Sequence, residues 1–144
     1  KRAQIRSKDV GFVFQSFHLL PRLSALDNVM MPLEILGAKD AKERALKALD
    51  EVGLSKRTGH VPHQLSGGEK QRVAIARAMV KAPSILFADE PTGNLDQSST
   101  DNILELLLGI NKQTKTTLVV VTHDQQLASR SDMVFELQEG KLKC

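Results

Sequence analysis

An aspartate and a glutamate stand side by side, Asp89-Glu90, at the end of the apolar run Ser84-Ile85-Leu86-Phe87-Ala88. Successive strand residues point to opposite faces, so at a strand tip the two carboxylates can address different atoms rather than compete for one. His123 follows a second apolar run, Thr117 to Val121, and Gln15 follows a third, Val10 to Phe14. In parallel sheets ligands bind beyond the carboxyl ends of the strands, so these four polar residues form one site if the three runs are neighbouring strands. A second element is Leu65-Ser66-Gly67-Gly68-Glu69-Lys70-Gln71-Arg72. Its glycines let the backbone approach a ligand, and the start of a helix there offers N–H groups and the positive end of a dipole, an arrangement that favours phosphate. Ser66 adds a hydroxyl.

The elements that must position these groups follow from periodicity. Val10 to Phe14 reads as a buried strand. A helix starts behind Ser24, with Leu26, Val29, Met30 and Leu33 on one face, and Pro32 should kink or end it. A second helix runs from Ala41 to Val52, capped by Asp40, with Ala45, Leu46 and Leu49 inward and Gly53 as its stop. A third begins just after Gly67-Gly68 and continues through Val73, Ile75, Ala76 and Met79 until Pro83. A fourth spans Ser98 to Lys112. Strands that are apolar on both faces and alternate with helices predict an α/β fold, with a parallel sheet covered on both sides. Residues 16–82 then form a helical insert and 83–144 return to the sheet. The tail, Met133 to Leu137 and Lys141 to Lys143, reads as a hairpin turning at Glu139-Gly140.

Composition narrows the class. The 144 residues carry 20 Lys and Arg against 17 Asp and Glu, a formal charge of +3. The basic residues are scattered, not gathered into the footprint that a nucleic acid requires, so no nucleic-acid partner is expected. No apolar stretch approaches the roughly 20 residues that cross a bilayer, and no signal peptide is evident at Lys1, so a cytoplasmic location is expected. The single cysteine, Cys144, allows neither an intrachain disulfide nor a cysteine-based metal site. His60 and His63 stand three apart in a Pro-containing loop without a third ligand, which reads as a surface loop.

The string Leu65 to Arg72 resembles the signature sequence of the ATP-binding-cassette (ABC) ATPases. Ile85 to Pro91 is similar to their Walker B strand and the glutamate after it, Thr92-Gly93-Asn94-Leu95-Asp96 to their D-loop, His123 to their switch histidine and Gln15 to their Q-loop glutamine. The five occur in the family's order along essentially the whole chain. The resemblance implies a P-loop NTPase-like sheet with an inserted helical signature subdomain (16–82) and a RecA-like core (83–144). It implies ATP and Mg²⁺ as cofactors, with Asp89 and Gln15 at the metal, Glu90 polarising the attacking water and His123 near the γ-phosphate. Ser66, Gly67, Gly68, Glu69 and Asp96 would serve nucleotide binding across a dimer of two copies. The remaining partner would be a membrane permease, placing the subunit at the cytoplasmic face of the inner or plasma membrane.

The family's P-loop pattern, G-x-x-x-x-G-K-[ST], does not occur in these 144 residues. The expectation is an incomplete nucleotide-binding subunit, inactive on its own. Asp89-Glu90-Pro91-Thr92-Gly93-Asn94-Leu95-Asp96, with Gly11 to Pro21 upstream, is similar to the lipoprotein-releasing and macrolide-export subfamily of the LolD, MacB and YbbA type, and ATP-driven export or lipoprotein release is the function implied. An FtsE-like cell-division ATPase is the alternative. A DNA-repair or chromosome-organising ATPase would carry long coiled coils between Gln15 and Leu65, and no sustained heptads occur there.

Overall fold

The protein is described by a computed structural model over residues 9–143. Three parallel strands, β1 (Val10–Phe14), β2 (Ile85–Asp89) and β3 (Thr117–Val121), lie in the order β1-β2-β3. Their register aligns Phe14 with Asp89 and Asp89 with Val121, so all three end on one line. Between β1 and β2 run α1 (Ala25–Ile35), α2 (Ala41–Glu51), two single 3₁₀ turns and α3 (Gly67–Met79). After β2 come α4 (Gln97–Thr114), β3, the short α5 (Gln125–Ser129) and an antiparallel hairpin of β4 (Glu136–Gln138) and β5 (Lys141–Lys143). Glu139 and Gly140 both have positive φ, which a two-residue hairpin turn of this kind requires.

Two cores hold this arrangement. The first joins α1, α2 and α3 through Val29, Leu33, Ala45, Leu49, Val73 and Ala76. The second seats α3 and α4 on the sheet, with Ile75, Ile103 and Leu107 against Val13, Leu86 and Ala88. Helix α3 belongs to both cores and is the beam between the helical layer and the sheet.

Several details depart from the sequence expectations. Helices cover one face of the sheet. Among the described residues the other face is open, with Phe12 stacked on Phe14 and Phe87 and with Val121 60% exposed. Pro32 neither breaks α1 nor ends it at once. The helix continues one turn to Ile35, because Val29 and Leu33 on either side are fully buried and the φ that Pro imposes is helical. Leu46 is 40% exposed and Ala48 takes the inward position, since α2 turns its small residues to α1 and α3. Asp40 makes no side-chain cap; its carboxylate faces Arg44 at 3.7 Å. Helix α3 begins at Gly67, not after Gly68, because Ser66 caps it.

Asn28, fully buried in α1, fixes the segment that leads away from β1. Its Oδ1 accepts from the Leu20 N–H at 2.8 Å, and its Nδ2 lies within 3.0–3.2 Å of the Leu20, Leu23 and Ser24 carbonyls. Removing one side of a buried network costs about 1–3 kcal/mol in stranded donors and acceptors. Asn28→Ala should therefore lower the unfolding free energy by roughly 2 kcal/mol in urea titrations with an unchanged m-value. A loss below about 0.5 kcal/mol would show that water replaces the network without cost.

Candidate functional site at the carboxyl edge of the sheet

Because the strands end in register, Gln15, Asp89-Glu90 and Thr122-His123 emerge side by side, as the sequence implied. Asp89, the last residue of β2, is exposed, and among the described residues its carboxylate has no hydrogen bond or ion pair. Glu90 leaves the strand in the left-handed region at φ 44, a conformation that costs a non-glycine residue about 1 kcal/mol or more. Its N–H still donates to the Val121 carbonyl at 2.8 Å, which ties the turn to β3. Its carboxylate receives the His123 Nδ1 at 2.8 Å and faces the Thr122 hydroxyl at 3.4 Å. An ionised carboxylate only accepts, so Nδ1 is the protonated nitrogen and Nε2 is directed elsewhere. Glu90 is thus half-buried and oriented, while His123 is 85% exposed.

The other side of the edge is formed by the 91–96 turn. Gln15 donates from Nε2 to Asn94 Oδ1 at 3.3 Å, and Asn94 Nδ2 donates back to the Gln15 carbonyl at 3.2 Å. Gly93 lets this pair sit close, since a Cβ there would lie 2.6 Å from Gln15 Nε2 and the Gln15 side chain would have to move aside. The Gln15 Oε1 keeps its acceptor capacity. Beyond Gln15 the chain passes through Phe17 and His18, both at positive φ, and Arg77 of α3 donates to both their carbonyls at 2.9 and 2.6 Å.

At the start of α3, Ser66 and Glu69 form a reciprocal capping box. The Glu69 N–H donates to Ser66 Oγ at 3.1 Å and the Ser66 N–H to Glu69 Oε2 at 2.8 Å. The box uses two of the N–H groups at the helix start. Those of Gly67 and Gly68 have no partner among the described residues, while the Ser66 hydroxyl lies against the Glu69 carboxylate. The acid in this first turn is offset by Arg57, whose Nε lies 3.1 Å from Glu69 Oε1. Arg57 also contacts His60 Nε2 at 3.2 Å, which places that histidine beside the signature helix. Asp96 caps α4 through Ser99, accepting from its N–H at 3.0 Å and its hydroxyl at 2.7 Å. The backbone N–H of Ser99, first among several hydrogen bonds, holds the Asp96 carboxyl below its ordinary range.

The two groups of residues remain distinct. Glu90 turns toward Thr122 and His123 on the β3 side, whereas Gly67 packs on Leu95 and Gly68 on Ser99. No hydrogen bond joins Ser66 to Glu90 among the described residues. Sequence reasoning did not find Thr122, Arg57 or Arg77 as supports of the site. Their partners lie 12 to 60 positions away, so no local pattern marks them.

A parallel sheet whose strand ends present Gln15, Asp89, Glu90 and His123, with a capped glycine helix start on an inserted helical layer, defines a nucleotide-binding cassette fold. Residues 1–93 match the family model described as ABC transporter, and the chain belongs to that family. It is 54% identical over 144 residues to the lipoprotein-releasing system ATP-binding protein LolD of Legionella pneumophila strain Paris. It is 53% identical over 144 residues to the uncharacterised ABC transporter ATP-binding protein YbbA of Escherichia coli K12. In both comparisons 99% of this chain aligns and spans 63% of the relative's length. Among solved structures, a dimeric post-hydrolysis state of the ATP-binding cassette MJ0796, bound to ADP and Pi, superposes with a TM-score of 0.85 at 40% identity. That match covers 99% of this chain and 64% of the other. An inward-facing putative metal-chelate type ABC transporter matches at a TM-score of 0.86 and 28% identity, over 94% of this chain and 57% of that one.

The capping box has a measurable acid signature. The Ser66 N–H, followed by the Arg57 charge, holds the Glu69 carboxyl below its ordinary 4.5, outweighing the opposite effect of burial. A carboxylate depressed on folding contributes stability that is present above its unfolded value and is lost as pH falls through its lower folded value. Glu69→Gln should therefore be less stable than the parent near neutral pH, and the gap should close below about pH 4. Denaturant midpoints of the two proteins across that range check this; a gap that is constant with pH would show that the charge contributes nothing.

Proposed function

We propose that this chain is the catalytic part of an ATP-hydrolysing subunit that powers an ABC-type membrane transporter acting in export or lipoprotein release. The observation that carries the reading is the Glu90–His123 pair, oriented beside Asp89, whose carboxylate has no partner among the described residues, at the ends of three in-register strands. The proposal gives Glu90 the role of general base toward the attacking water, with His123 orienting it and its Nε2 directed to the terminal phosphate. Asp89 and the Gln15 amide oxygen are hard oxygen donors of the kind Mg²⁺ takes, but they are too few to cage it. The ion would keep most of its waters and share the nucleotide's oxygens. When bound, Mg²⁺ and the phosphate-cradling loop supply the charge neutralisation that phosphoryl transfer needs. This chain's own residues place the base, the metal carboxylate and the sensing amide.

The start of α3 serves a different nucleotide from Glu90 in this proposal. The N–H groups of Gly67 and Gly68 and the Ser66 hydroxyl form a small anion site, and that site closes over the phosphates held by a second copy of the subunit. The dimeric MJ0796 cassette with ADP and Pi supports two copies as the working unit. The names of LolD and YbbA support the transporter setting and, for LolD, lipoprotein release. No helix among the described residues is long and apolar enough to cross a membrane, so attachment to a membrane permease is the proposed route to the inner or plasma membrane.

Glu90→Gln, made in the complete subunit, should leave ATP affinity within about twofold and slow hydrolysis by roughly 10² to 10⁴, the worth of a positioned general base. Phosphate release at saturating MgATP measures the rate and calorimetry the affinity. A kcat within about threefold of the parent would remove Glu90 from the base's role.

A further inference from the structure

Gln71 is completely buried in α3, one turn after the signature glycines. Its Nε2 donates to the Pro91 carbonyl at 2.7 Å. That carbonyl can only accept, so the amide's orientation is set, and its Oε1 is left buried with no partner among the described residues. An unpartnered buried amide oxygen is a cost to folding, and an apolar side chain of similar volume would avoid it. The cost persists at the residue that bonds the backbone immediately after Glu90.

Pro91 is the first residue beyond the left-handed turn at Glu90 and is itself buried. Without an anchor on its far side, that strained turn can relax and swing the carboxylate away from His123. The N–H of Glu90 is held to β3 and the Pro91 carbonyl to α3, so the two bonds grip the turn from both ends. The contact between α3 and the turn continues outward. A Cβ on Gly67 would lie 3.3 Å from Leu95, and one on Gly68 would lie 2.9 Å from Ser99 Oγ. The first turn and a half of α3 therefore lies flat on residues 91–99.

We infer that Gln71 is a positioning residue: through its bond to Pro91 it fixes the Glu90 carboxylate relative to the signature helix, so that a shift of α3 is felt at the base. This rests on the role proposed for Glu90. It assigns Gln71 no contact with nucleotide.

The test is a double-mutant cycle in the complete subunit, measuring kcat and KM for MgATP. Gln71→Met keeps the volume and removes the donor. It should lower kcat by about 10-fold or more, within the range a small misplacement of a catalytic group produces, while KM stays within about twofold. In the Glu90→Gln background the same change should cost less than about twofold, because the group it positions is already disabled. If Gln71→Met folds poorly, Gln71→Asn, which keeps the amide but shortens its reach, is read in the same way. An equal fold-loss in both backgrounds, or an undiminished kcat, would overturn the inference. A failure of Glu90→Gln itself to slow turnover would instead count against the assignment of the base.

Discussion

The strand register is the constraint on which the site depends. With Phe14, Asp89 and Val121 aligned, three separate segments of the chain deliver their polar residues to one line. A slip of one residue in β2 would turn Leu86 and Ala88 out of the core and would also move both carboxylates. The packing of Val13, Leu86 and Ala88 under Ile75, Ile103 and Leu107 is thus also what positions the chemistry.

A second consequence follows from α3. The helix completes the helical core on one side, packs on β1 and β2 on the other, and donates from Gln71 and Arg77 to the loops that follow β2 and β1. The carboxylate edge, the Gln15 loop and the capped helix start are therefore parts of one packed body, and among the described residues no hydrogen bond joins Ser66 to Glu90. Glu90 and the capped helix start are separated by the 91–96 turn, and the proposed sharing of two sites between two chains uses that separation.

Much of this was legible in the sequence. The three sheet strands, the helix start near Ser66, the hairpin turn and the convergence of Gln15, Asp89, Glu90 and His123 follow from local apolar periodicity and from residues that terminate it. Asp96, by contrast, is marked only by its resemblance to the D-loop, and the first hairpin arm is shorter than the expected Met133 to Leu137. What stayed hidden depends on neighbours far along the chain. Gln15 meets Asn94 across 79 positions, and Arg57 meets Glu69 through a loop of no marked pattern. The survival of α1 through Pro32 and the exposure of Leu46 were set by which helix faces found partners, which a single-helix pattern does not encode. The two-sided cover expected for the sheet was inferred from its apolar strands, and the face carrying Phe12, Phe87 and Val121 stays open among the described residues.

The division of labour between the two ends of the 91–96 turn is best tested by a mixed dimer of the complete subunit. One copy carries Ser66→Arg and the other Glu90→Gln, and the phosphate-release rate is compared with that of each homodimer. Composite sites predict that the mixed dimer keeps one site with both an intact base and an intact signature, so it should turn over well above either mutant homodimer. If each chain instead closed on its own nucleotide, every site in the mixed dimer would carry a defect, and a rate no higher than that of the homodimers would contradict the arrangement proposed here.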